Sequence, residues 1–250
     1  MKQAIVDQIE SAVKNEKKRK IGLVTFESNV EVFGDGTKNS ERVNDGILNE
    51  YQSLLDEGSK LGDKMMGKAI GDTHENLLKR VKKMTTAGST ALGPGVSISM
   101  AMAAKGTPGS QVVICTDGAA NCGVGSVGYY GESNADEFYD KAGQFAQNHG
   151  LTINVVSIIG ADCYLDKLSK LAELTGGTVE RVDPMNLGDN FKEIFALKSI
   201  ATNVEIKIKL HKALMFRNEQ KDNLRDDGTL LVRKLGNVNE DTEITFEYTL

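Results

Sequence analysis

With 250 residues, the chain is long enough for one large domain or a domain with a small appendage. Apolar residues make up 40% and charged residues 26%, which argues against wholesale disorder. A net charge of −5 argues against a general nucleic-acid surface, which needs a basic face to displace counterions. No apolar run approaches the roughly 20 residues of a bilayer span. Cys115, Cys122 and Cys163 are too few, and odd in number, for a disulfide framework, and no Asn-x-Ser/Thr sequon occurs. The first residues, Met1 to Asp7, lack the apolar core of a secretory signal. These features together predict a reducing, cytoplasmic setting.

Along the chain, Ile5, Ile9 and Val13 recur at steps of four and predict an amphipathic helix over 2–15. Lys17-Lys18-Arg19-Lys20 reads as a solvated lead into Ile21-Gly22-Leu23-Val24-Thr25-Phe26, a short apolar run predicted to be a buried strand. A tight turn at Glu27-Ser28-Asn29 leads to an alternating strand, Asn29 to Phe33. Helices are predicted over 47–57 and 74–84, and again from Ala91 to Lys105, where Pro94 is tolerated only in the first turn.

Gln111-Val112-Val113-Ile114-Cys115-Thr116 is the clearest strand. Asp117-Gly118 ends it and opens a Gly-rich loop to about Asn134. A helix from Ala135 to His149 follows, closed by Gly150. Then come a strand over 152–158, a helix over 165–175, a strand over 178–182 and a helix over 186–197.

Strands apolar on both faces, alternating with helices, require helices above and below a mostly parallel sheet. The predicted class is therefore α/β, a doubly wound Rossmann-like layer over 1–197. After Ile200 the pattern changes. Val204, Ile206, Ile208 and Leu210 alternate with Glu205, Lys207 and Lys209, as in a half-exposed strand. With Leu230-Leu231-Val232 and Ile244 to Tyr248 it predicts an antiparallel β appendage over 198–250.

Thr116-Asp117-Gly118 at the carboxyl end of a buried strand is the candidate site, because ligands of open α/β sheets collect there. By itself the pair Asp117-Gly118 reads as a turn. Ala87-Gly88-Ser89-Thr90-Ala91-Leu92-Gly93 sets hydroxyl residues just before a helix, where capping is the plain explanation. Hydroxyl and carboxylate oxygens are also the ligands that hard divalent cations take.

Taken together, Ile21 to Ser28, Gly88 to Leu92 and Val113 to Gly118 resemble the von Willebrand factor type A domain in order and spacing, over roughly residues 2–197. The resemblance implies a protein–protein interaction module with a metal-ion-dependent adhesion site. It would take Mg²⁺ or Mn²⁺, with Thr90 and Asp117 at two of its ligand segments, and a protein partner whose acidic side chain completes the metal shell. The family's first strand ends in Asp-x-Ser-x-Ser, and these 250 residues contain no such motif. The chain thus reads as N-terminally truncated, starting inside the helix that follows that strand. This predicts weak metal binding or none, and unpaired edges on the neighbouring strands. The tail resembles trunk regions of intracellular coat proteins.

Several motifs fail on inspection. Gly62-Asp63-Lys64-Met65-Met66-Gly67-Lys68-Ala69 nearly spells a phosphate-binding loop but ends in Ala69 where Ser or Thr must reach Mg²⁺. Val124 spoils a Gly-x-Ser-x-Gly nucleophile elbow at Ser126. His74, His149 and His211 fall in different elements. No nucleophile, base and orienting group come together, so no catalytic machinery is predicted. Tyr129 and Tyr130 in the long loop are candidate partner contacts, and Cys122 is a free thiol. Two rival readings remain: a metal-dependent nucleotide- or phosphoester-handling α/β enzyme using Asp117, and a structural piece of a larger coat-like assembly.

Overall fold

The computed structural model describes residues 2–84, 88–127, 132–158, 165–182 and 187–250. Helix α1 (Lys2–Asn15) leads to the hairpin β1 (Leu23–Phe26) and β2 (Val30–Gly34), with β3 (Glu41–Arg42) on its outer edge. Helices α2 (Tyr51–Met65), α3 (Ile70–Lys83) and α4 (Leu92–Ala103) follow. The chain then alternates through β4 (Gln111–Thr116), α5 (Glu132–Asn148), β5 (Thr152–Ile158), α6 (Leu165–Thr175), β6 (Val179–Val182) and α7 (Leu187–Ala196). The last part holds β7 (Ala201–Lys209), β8 (Met215–Arg217), β9 (Leu224–Arg225), β10 (Leu230–Val238) and β11 (Glu247–Thr249).

β4, β5 and β6 form a parallel sheet with Gln111 opposite Thr152, Thr116 opposite Ser157 and Val155 opposite Val179. Helices cover both of its faces, as a parallel sheet requires. On one side α4, α5 and α6 set Val96, Met100, Ala142 and Leu171 against Val112, Ile114 and Ile153. On the other, Ala4 of α1 and Ile194 of α7 meet Val156 and Val182. The hairpin is antiparallel, Phe26 opposite Val30, and packs against α2 and α4 through Val30, Val32, Leu54 and Ile98. Its other face, with Leu23, meets α1 and α3.

The fold is thus mixed α/β with helices on both faces, but the expected single, mostly parallel sheet is divided. β1–β2–β3 and β4–β5–β6 are two separate three-stranded pieces. The run Ile21 to Phe26, predicted to be a buried strand, is another departure: every residue of β1 is only half-buried. An apolar strand is buried when both faces and both edges find partners, and among the described residues β1 pairs with a strand on one edge only.

Helix limits moved as well. The helix predicted over 47–57 starts at Tyr51 and runs on to Met65, because Gly58 and Gly62 do not break it. They let it lie close to α4, where a Cβ on Gly58 would sit 2.8 Å from the Ala101 Cβ. The helix predicted over 74–84 starts at Ile70, anchored where Ile70 N–H donates to Arg19 O (2.7 Å). Arg19 is not simply solvated: its guanidinium donates to Glu16 Oε2 (2.8 Å), Gln111 Oε1 (3.0 Å) and Phe195 O (3.4 Å). The strand predicted over 244–248 is limited to Glu247–Thr249, paired with β8.

In the tail, β10 pairs antiparallel with β7 and β9. It reaches back to the start of β5, where Asn237 Nδ2 donates to Gly150 O (2.8 Å) and Thr152 Oγ1 (2.9 Å).

Candidate functional site

Three chain segments meet at the carboxyl ends of β1 and β4. The loop before α4 is tied to the end of β1, Ala91 N–H donating to Glu27 O (2.6 Å) and Ser89 N–H to Ser28 Oγ (3.1 Å). It is tied to the loop after β4 as well: Thr90 N–H donates to Asn121 Oδ1 (2.6 Å), and Asn121 N–H returns to Thr90 O (3.1 Å). Thr90 therefore has its backbone fixed on both sides. Thr116 Oγ1 donates to Gly118 O (2.9 Å), holding the turn that carries Asp117.

This lacing brings the two predicted site residues together. Thr90 Oγ1 lies 3.6 Å from where a Cβ on Gly118 would stand, next to Asp117 in the chain. Both Thr90 and Asp117 line the same trough, a cavity of about 460 Å³ that runs down from this rim between β1 and β4. Asp117 is exposed and Thr90 half-buried. The donor chemistry of the rim, hydroxyls of Ser89 and Thr90 and carboxylates of Asp117 and Glu27, is all hard oxygen and fits Mg²⁺ or Mn²⁺ in kind. In number it falls short, since Mg²⁺ takes about six oxygens in octahedral order. Among the described residues no group of three or more His, Cys, Asp or Glu is placed to hold a metal ion.

The sequence analysis did not foresee Asn121, the latch between the two loops, or the part of Ser28. The only signal for Asn121 was its place four residues after Asp117. Cys122 sits on the same rim, its Sγ 4.0 Å from Glu27 O, and burial raises its thiol. Cys115, on β4, is pushed up to about 12 by burial. Burial thus disfavours the thiolate of both residues. His74 faces Gly71 O and His149 faces Phe145 O, each one helical turn away, while His211 accepts from Ala213 N–H. Tyr129, Tyr130 and Cys163 lie outside the described residues.

Comparison with known structures identifies the fold as von Willebrand factor type A-like. A von Willebrand factor type A protein from Catenulispora acidiphila superposes with a TM-score of 0.59 at 16% identity, over 99% of this chain and 52% of that one. The human COPII-coat protein Sec24c superposes with a TM-score of 0.61 at 12% identity, over 99% of this chain and 38% of that one. In sequence, the chain is 31% identical over 238 residues to Circularly permutated Ras protein 1 of Dictyostelium discoideum. That match takes in 92% of this chain but 27% of the relative, so the chain spans about a quarter of that protein's length. No protein-family profile matches the chain. No helix among the described residues is long and apolar enough to cross a membrane.

Proposed function

We propose that this chain is a protein–protein interaction module of the von Willebrand factor type A kind, with an incomplete metal-ion-dependent adhesion site. One observation carries the reading: Thr90 and Asp117, 27 positions apart in sequence, meet at one rim of an α/β core. These two residues would hold Mg²⁺ or Mn²⁺, and the cation would supply a Lewis-acidic anchor for a partner's acidic side chain. With so few protein oxygens, water fills most of the shell and affinity is low. The family's first strand, with its Asp-x-Ser-x-Ser, would add the missing ligands. On this reading residues 1–197 form the binding domain and 198–250 an appendage to it.

The enzyme reading loses ground on a specific point. A Ras-type nucleotide site cradles its phosphates in a loop between a strand and a helix. Here Gly62 to Met65 of the near-motif are the last turn of α2. That turn offers no phosphate-cradling loop between a strand and a helix. A coat-like structural role has one observation in its favour: Met215, Phe246, Tyr248 and Leu250 of the appendage are exposed apolar side chains. Free Cys115 and Cys122 and the likeness to a coat protein support a cytoplasmic setting.

Calorimetric titration with Mg²⁺ and Mn²⁺ tests the reading. A weak binding heat that Asp117→Ala abolishes, while its circular dichroism spectrum stays unchanged, supports the cation site. Indistinguishable traces for the two proteins overturn it.

A further inference from the structure

The appendage holds a long strand with a free edge. β7 spans nine residues and, among the described residues, pairs with β10 alone. Exposed and half-buried residues alternate along its whole length. One face holds Val204, Ile206 and Ile208, which stand opposite Gly236, Arg233 and Leu231 of β10. Leu231 is fully buried, whereas the three β7 residues are half-buried, so this apolar face loses its cover toward the free edge. The other face holds Glu205, Lys207 and Lys209, all exposed. Lys209 is held by Asp226, while Lys207 Nζ reaches Glu205 Oε1 (3.1 Å) along the same strand.

An unpaired edge is a template for another strand, and charges on it decide which strands are admitted. The charges of β7 admit its own copy in one register. A two-fold axis across the edge makes an antiparallel pair, in which directly opposite side chains share a face. With the axis at Ile206, Glu205 stands opposite Lys207 of the second copy and Lys207 opposite its Glu205. On the other face Ile206 then meets Ile206 and Val204 meets Ile208. With the axis at Glu205 or at Lys207, two carboxylates or two ammonium groups are opposed, which is destabilising. An axis between two residues sets the apolar face of one copy against the charged face of the other. Opposite charges and β-branched pairs thus coincide in the register centred on Ile206.

We propose that β7 is a self-association edge. Two copies of this chain pair antiparallel through it, with Ile206 on the two-fold axis, and join their three-stranded β7–β10–β9 sheets into one continuous sheet. This goes beyond the interaction reading above and does not rest on the cation rim.

The test is sedimentation velocity over a concentration series, with the 250-residue chain, Glu205→Lys, Lys207→Glu and the double exchange Glu205→Lys/Lys207→Glu. The unaltered chain passes from monomer to dimer as concentration rises. Each single exchange opposes like charges at two symmetry-related places and raises the dimer dissociation constant about tenfold or more. The double exchange restores dimerisation. An equal mixture of the two single variants restores it as well, because a strand with two lysines then faces a strand with two glutamates, and this recovery shows that both variants are folded. A chain that is monomeric at about 1 mM overturns the proposal. A dimer that neither single exchange weakens overturns it too, and assigns association to another surface such as exposed Met215 and Tyr248. Loss in both single variants without recovery in their mixture overturns it as well.

Discussion

Two seams run through this molecule, and they are built in opposite ways. Where β10 meets the parallel sheet the seam is polar and shut. Asn237, 3% exposed, donates to Gly150 O and Thr152 Oγ1, and its Oδ1 accepts from Asn203 N–H (3.3 Å). The backbones approach so closely that a Cβ on Gly176 would fall 1.8 Å from Asn237 O. Where β1 faces β4 the seam is lined with apolar side chains and open, and Leu23 to Phe26 are half-buried. Apolar composition alone does not close a seam. A single side chain with the right donors and acceptors, placed where each finds a partner, holds one shut, because every buried polar group is then satisfied.

The strongest way to break this contrast is Gly176→Ala. The residue has φ +71° and no room for a Cβ, so the closed seam must open. The expected loss exceeds about 4 kcal/mol in urea unfolding. A loss under about 1 kcal/mol would mean that the seam is loose in solution. Asn237→Ala comes next, leaving Gly150 O and Thr152 Oγ1 without their shared donor. It should cost about 2–3 kcal/mol, with faster exchange at the ends of β10.

Asp35 sharpens the contrast on the hairpin side. It is 2% exposed; burial pushes its carboxyl up, but hydrogen bonds from the Thr37 hydroxyl and the Thr37 and Lys68 N–H groups outweigh that and hold it below its ordinary 3.8. A depressed folded pKa means its stabilisation is full above pH 3.8 and is lost as pH falls through the folded value. Asp35→Asn should cost about 1–2 kcal/mol at pH 7, with the difference from the native chain vanishing in acid. A difference that persists unchanged at pH 2 would show that the charge has no part in it. The smallest effect is expected at Leu23→Ala, under about 1 kcal/mol, because Leu23 borders the open trough. Leu54→Ala, at a fully buried position away from the trough, should cost about 2–5 kcal/mol. Equal losses at the two positions would show that the trough is closed in solution.

Much of the fold is legible in the residues. The steps of four in α1, the two-faced apolar runs of β4 and β5, and Pro94 in the first turn of α4 each predict their element from local physics. β8 and β9 were not foreseen, since three- and two-residue strands carry too few side chains to show a period. Tyr51 to Met65 was cut short because Gly58 and Gly62 look like breakers until a second helix is laid against them. Of the rim, Thr90 and Asp117 could be picked from the sequence. Asn121, which fixes Thr90 in place, could not, because its role is a bond across 31 positions of chain.

Composition and periodicity by themselves determined which segments become helices and strands and which faces they bury, because those signals repeat within a few residues. Only the tertiary structure decided that the sheet would come in two pieces, that the apolar run in β1 would stay half-exposed, and that two loops would be latched side by side. Those outcomes depend on which edges find a partner, and a partner hundreds of bonds away leaves no mark on the local pattern.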